Sequence, residues 1–212
     1  MFFRVSWFLF LFFVVPFSFG SPFDSKLKDI NKKLMKNVKA EMKQNSIPGL
    51  AYVMVKNKKI VALQTFGHVD KAKSAKVDVD TVFRLASVSK TFAATITTML
   101  AQEKRLKLSD PVTKYVPHFT LAKKGAAEKI QLKHLLSHST GLMPNAYDNL
   151  LHENWSMDKI TRRFKRVTPI CKPAKCYGYQ NVAFGFLQSA IETSQSKSYS
   201  ALLQDRIFSR LK

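Results

Sequence analysis

Only two stretches of this chain have the length and composition of β-strands, and they lie close enough to pair. "LAYVMV" begins at Leu50 and "KIVALQTFG" at Lys59; they meet at Asn57 and Lys58, where an Asn can adopt the left-handed backbone that a tight hairpin requires. The other periodic segments read as helix. From Ser25 to Gln44 the apolar residues Leu27, Ile30, Leu34, Val38 and Met42 recur every three or four positions with Lys on the remaining faces, which predicts an amphipathic helix ended before "SIPG". After Ser87, the residues Phe92, Ala93, Ala94, Ile96, Met99 and Leu100 make a segment that is apolar around most of its circumference, so this helix is expected to be buried. "LKLSDPVTKYVPHF", with Pro111 and Pro117, reads as a covering loop, and "IQLKHLLSHSTGL" as a short helix stopped at Gly141. "SMDKITRRF" starts a helix capped by Ser156, "NVAFGFLQSAIE" is a second buried helix, and "SYSALLQDRIF" is a closing amphipathic one. One hairpin among several helices, without an internal repeat, predicts an α+β architecture whose sheet is unfinished.

The first twenty residues, "MFFRVSWFLFLFFVVPFSFG", carry one charge, Arg4, and then an apolar run to Val15 followed by Pro and small residues. This is the pattern of a secretory signal peptide, with cleavage expected near Ser21. The run is short of the ~20 residues a membrane span needs, so no transmembrane anchor is expected after cleavage, and the product is expected to be periplasmic or secreted. Residues 21–212 then form one domain. The formal charge of +21 invites a nucleic-acid reading. However, the Lys residues are scattered along the chain and the leader directs it elsewhere, so anionic envelope polymers or lipid head groups are the expected partners. Export permits a disulfide between the two cysteines, Cys171 and Cys176, in "CKPAKC". Two thiols fall short of a structural zinc site, and His134 and His138, four apart, have no third ligand nearby, so neither a metal nor a cofactor is expected.

The chemistry centres on Ser-x-x-Lys, a pattern that occurs five times, from Ser25, Ser87, Ser156, Ser194 and Ser209. Residues three apart share a helix face, so the Lys can take or hold the Ser proton, provided it is neutral part of the time. A helix start adds free N–H groups and a dipole that favour the developing negative charge. Only Ser87 and Lys90 open a core-type helix. The plainer reading is that Ser87 caps that helix while Lys90 extends to solvent. A hydrolase of this kind also needs a group to pass the proton to the leaving atom, and two Tyr-x-Asn triplets offer one, at Tyr147 and at Tyr179. The second follows a Pro-containing loop and runs directly into an apolar helix, so Tyr179 and Asn181 would stand on a rigid base. A buried aromatic and a helix cap are the alternatives for these two residues.

In order, "IPGLAYVMVKNKKI", "TVFRLASVSKTFAA", "LKLSDPVTKYVPHF", "IQLKHLLSHSTGL" and "CYGYQNVAFGFL" resemble the serine beta-lactamase-related family, which groups class C beta-lactamases, penicillin-binding DD-peptidases and related esterases. The resemblance runs from about Ile47 to Phe208. It implies a beta-lactamase/transpeptidase-like fold, Ser87 as the acylated nucleophile, Lys90 as its proton partner, Tyr179 as proton shuttle and Asn181 as a donor to the substrate amide. The substrate would be a beta-lactam, a D-amino peptide such as peptidoglycan carries, or an ester. Ala174 and Arg105 stand where the family usually has Gly. The family's third motif, Lys-Thr-Gly or His-Thr-Gly on a strand, does not occur, and the residues after Asn181 read as helix. The chain is therefore expected to be the N-terminal part of a longer enzyme, with an inactive, cationic envelope-binding product as the alternative.

Overall fold

The computed structural model describes residues 22–211; the predicted signal peptide, residues 1–20, lies outside them. The chain divides into two compact units, one up to Arg84 and the other from Leu85.

In the first unit, helix α1 (Pro22–Gln44) precedes an antiparallel pair, β1 (Gly49–Lys56) and β2 (Lys59–Gly67). Asn57 and Lys58 both have positive φ, 48° and 63°, the pair of left-handed residues that a two-residue hairpin turn demands. Val53 faces Leu63 and Tyr52 faces Gln64 across the ladder, with an irregularity between Met54 and Val55. Successive side chains point to opposite faces of the sheet, so Tyr52 and Met54 share one face while Val53 and Val55 share the other. On the first face the Tyr52 hydroxyl donates to Asn31 Oδ1 at 2.7 Å, tying β1 to α1, and the Tyr52 and Phe66 rings stack at 6.0 Å. The second face stays open: Val53, Val55, Ile60 and Leu63 are all substantially exposed. Gly67 has φ +74°, and a Cβ there would lie 2.1 Å from the Pro48 carbonyl oxygen, which restricts the position to Gly.

The second unit is helical. Helices α2 (Ser89–Gln102), α3 (Leu132–Leu136), α4 (Asp148–His152), α5 (Met157–Arg163), α6 (Asn181–Gln195), α7 (Tyr199–Leu203) and α8 (Ser209–Leu211) follow in order, with a π-type turn at Gln204–Phe208 between the last two. Of the two helices expected to be buried, α6 is so: Val182, Ala183, Phe186, Leu187, Ala190 and Ile191 are all inaccessible. It packs against α3 and against α2, which is buried on one side only, at Ile96, Thr97 and Leu100; Phe92, Ala93, Ala94 and Met99 are half-buried and Thr91, Thr95 and Thr98 exposed, a correction to the expected all-round burial. The Thr97 hydroxyl satisfies itself on the Ala93 carbonyl at 2.7 Å, so a polar residue costs little there. Phe119, Phe164 and Phe186 form an edge-to-face cluster with centroids 4.9 to 5.9 Å apart.

Two further sequence expectations need correction. The Pro-rich segment 106–119 is part of the core: Leu106, Val112, Val116 and Phe119 are buried. Pro removes donors without removing apolar side chains, and the backbone is paired locally, as where the Val112 N–H donates to Ile130. Helix α3 also ends well before Gly141. His138 itself takes the left-handed conformation, φ 52°, and the Gly141 Cα instead allows close approach to the Cys171 carbonyl. Ser156 caps α5 as expected, its Oγ accepting from the Lys159 N–H.

Candidate active site

Ser87 sits in a single 3-10 turn, Ala86–Val88, that leads into α2. Ala86 has φ +45°, a left-handed conformation unusual for a residue with a Cβ, and the turn leaves Ser87 exposed. Ser87 makes no capping bond; neither this turn nor α2 has a side-chain cap. Its Oγ instead lies 2.6 Å from the Tyr179 hydroxyl and 3.4 Å from Lys90 Nζ. Lys90, half-buried in the first turn of α2, donates to Asn181 Oδ1 at 2.7 Å and stands over the Tyr179 and Phe184 rings at 4.9 and 5.4 Å. The four residues singled out in the sequence thus converge, Ser87 and Lys90 from one end of α2, Tyr179 and Asn181 from the start of α6.

Asn181 is the first residue of α6, and the residue before it, Gln180, makes no side-chain cap. The Asn181 amide is engaged at both ends, its oxygen by Lys90 and its Nδ2 by Asp148 Oδ2 at 2.7 Å. One amide hydrogen remains for a further acceptor. The Lys90 ammonium, and after it the Ser87 hydroxyl, stabilise the Tyr179 phenolate and hold this phenol below its ordinary range. The ring is fixed from behind by His138, whose imidazole lies 4.4 Å from the Tyr179 ring and 5.4 Å from that of Phe184. His138 Nδ1 accepts from the Gln180 N–H at 3.2 Å, and burial followed by the Lys90 charge lowers its pKa. His134 likewise spends Nδ1 on a backbone donor, the Gln131 N–H. Among the described residues no group of three or more His, Cys, Asp or Glu could hold a metal ion.

The segment before Tyr179 is braced by a disulfide between Cys171 and Cys176. The loop it closes and the residues on either side are hydrogen-bonded to the turn after α3: the Ala174 N–H donates to Ser139, the Gly178 N–H to His138, and the Ile170 N–H to Gly141, each at 2.8 Å. Ala174, where Gly was expected, has φ +64°. His138 and Asp148 were not picked out as site residues from the sequence. His138 was weighed only as a metal ligand, and Asp148 sits inside the Tyr147 triplet that competed with Tyr179. Tyr147 itself packs on Phe164 and donates to the Arg163 carbonyl at 2.9 Å.

Known proteins are similar to this chain in sequence and in fold. The family model described as Beta-lactamase matches residues 34–212. Protein flp of Staphylococcus aureus (strain MRSA252) is 30% identical over 165 residues, covering 77% of this chain and 33% of that protein. The beta-lactamase of Escherichia coli (strain K12) is 29% identical over 185 residues, 87% of this chain and 47% of that one. Among solved structures, the D-alanine carboxypeptidase AmpC from Burkholderia cenocepacia superposes with a TM-score of 0.68 at 26% identity, over 86% of this chain and 48% of the other. The chain therefore spans a third to a half of the length of the relatives it matches. Within that span the fold is beta-lactamase/transpeptidase-like, and the chain belongs to the Beta-lactamase family.

Proposed function

We propose that the chain carries the nucleophile and proton-transfer groups of an exported serine hydrolase that works through an acyl-enzyme, on a beta-lactam, a D-amino peptide or an ester. The observation that carries this reading is the 2.6 Å contact between Ser87 Oγ and the Tyr179 hydroxyl, with Lys90 Nζ 3.4 Å from the same Oγ. Both lie within or near the reach that proton transfer needs. The shorter contact makes Tyr179 the group that exchanges the Ser87 proton, and Lys90 the cation that keeps the phenol acidic. Ser87 Oγ loses its proton to the Tyr179 oxygen and bonds to the substrate carbonyl carbon. The carbonyl electron pair then reforms, the bond to the leaving N or O breaks, and Tyr179 returns the proton to that atom. Water, deprotonated by Tyr179, cleaves the resulting Ser87 ester by the same steps. The Ser87 N–H is one candidate donor to the oxyanion.

Two of the substrate classes come from the relatives, a beta-lactamase and a D-alanine carboxypeptidase, and the ester from the family resemblance. In the intact gene product, Ser87→Ala abolishes covalent labelling by a fluorescent penicillin or an activated ester. Lys90→Ala slows it by ~10² to 10⁴, the usual cost of losing a positioned proton-transfer group. Labelling that survives Ser87→Ala moves the nucleophile elsewhere. A binding role without turnover is favoured by one observation, the +21 formal charge, to which α1 contributes an exposed series of lysines from Lys26 to Lys43. Retention on anionic cell-wall polymer by a protein that no acylating reagent labels would select it.

A further inference from the structure

The Asp148 carboxylate is placed at a cost. Its Oδ1 is buried and accepts no hydrogen bond among the described residues, and an unsatisfied buried acceptor is destabilising. The residue before it, Tyr147, is a bulky side chain in the left-handed region, φ +65°, a conformation that persists only where the surroundings impose it. They do so here. The Tyr147 hydroxyl is bonded to Arg163, the Asn145 N–H donates to the Tyr179 carbonyl at 2.8 Å, and the Gln180 side-chain amide donates to the Met143 carbonyl. The loop 143–148 is thus pinned to Tyr179 and Gln180, which lead into α6. Its product is a single contact, Asn181 Nδ2 to Asp148 Oδ2 at 2.7 Å.

That contact determines which way Asn181 points. An ionised carboxylate only accepts hydrogen bonds and an ammonium only donates them. A carboxamide held between Asp148 and Lys90 therefore has one satisfactory orientation, with Nδ2 towards Asp148 and Oδ1 towards Lys90. Flipped, it would aim N–H groups at the ammonium and its oxygen at the carboxylate. We propose that Asp148 is a positioning residue, which locks the Asn181 amide so that Lys90 stays between Asn181, Ser87 and Tyr179. The proposal rests on the reading of Ser87 as nucleophile for its kinetic consequence but not for its geometry.

The groups facing Tyr179 are Lys90, Ser87, His138 and, farther off, Asp148. Burial and then the Asp148 charge raise the Tyr179 pKa, opposing Lys90. This makes the test decisive in sign. If Asp148 acted only by its charge, Asp148→Ala and Asp148→Asn would both move the Tyr179 titration to lower pH. If it positions Asn181, Asp148→Ala frees the amide, Lys90 drifts, and the Tyr179 titration moves to higher pH. Asp148→Asn keeps the shape and one acceptor oxygen but loses the charge, so its Tyr179 titration should move to lower pH while its acylation rate stays close to wild type. The titration is read by NMR of ¹³Cζ-labelled tyrosine in the intact gene product, with Tyr179 assigned by Tyr179→Phe. In parallel, acylation of Ser87 by an activated ester is expected to slow ~10- to 100-fold in Asp148→Ala, in kcat rather than KM, as when a reacting group loses its precise placement. Thermal melts check that each variant is folded; the Asn variant is the isosteric control should the Ala variant prove unstable. A downward shift in Asp148→Ala, or an Ala variant indistinguishable from wild type in both readouts, overturns the proposal. Because the titration requires no turnover, labelling that survives Ser87→Ala would sink the proposed function while leaving this geometry standing.

Discussion

At the scale of single residues, the site is a chain of complementary donors and acceptors: Asp148, Asn181, Lys90, then Ser87 and Tyr179 together. Its chemical output is a phenol made more acidic by Lys90. A pH dependence follows. A base that must be a phenolate becomes competent as pH rises through its pKa, and removing the neighbouring cation raises that pKa. Lys90→Met should therefore move the ascending limb of the residual acylation rate to higher pH, in addition to lowering the rate. A limb that stays put or moves down would show that Tyr179 is not the titrating base. The sequence made Ser87 and Lys90 legible because spacing on a helix is a local property, and an apolar helix after one of five Ser-x-x-Lys patterns singles it out. Tyr179 and Asn181 were legible from their setting before α6. Asp148 was not, because its role depends on a left-handed Tyr147 and on a pairing across 33 positions. His138 was hidden for the same reason: its partners, Tyr179 and Gln180, are distant in sequence.

At the scale of elements, α6 is the scaffold, and what precedes it decides where Tyr179 stands. The disulfide from Cys171 to Cys176 closes a loop of sequence separation 5, and so short a loop lies at the low end of disulfide stabilisation, about 2 kcal/mol on the chain-entropy view. Cys171→Ser/Cys176→Ser should lower the unfolding free energy by that order in a denaturant titration, and should loosen the turns bonded to His138 and Ser139. An unchanged midpoint would mean that the loop's hydrogen bonds alone hold it. The hairpin, α1, α5 and α6 were readable because caps, periodicity and turn residues act within a few positions. The end of α3 was not, because a Gly marks close backbone approach as readily as a helix stop. Gly141 serves the first purpose, against Cys171, while His138 ends the helical region. The Pro-rich segment 106–119 was read by its backbone chemistry, whereas its place in the core follows from Leu106, Val112, Val116 and Phe119.

At the scale of the whole molecule, the α+β class was legible from one hairpin among many helices, and the family from five ordered sequence blocks. The described sheet has two strands, and its open face presents Val53 at 52%, Val55 at 62% and Ile60 at 65% exposure, beside Leu63. A contiguous apolar face of this kind marks an interaction surface or an aggregation liability. A polypeptide of residues 21–212, produced alone, should bind a hydrophobic dye such as ANS, and Val55→Thr with Ile60→Lys should reduce that binding; dye binding unaffected by the pair would place the apolar surface elsewhere. The charge of +21 and the apolar first twenty residues, with Arg4 as their single charge, belong to the same scale. They are the sequence features on which the proposed export towards an anionic envelope rests. The central claim, however, concerns one oxygen atom. The intact gene product is incubated with a penicillin or an activated acyl ester, digested, and mapped by mass spectrometry. The account predicts a single acyl adduct, on the peptide that contains Ser87, absent from Ser87→Ala; an adduct on any other residue, or one retained in Ser87→Ala, would contradict it.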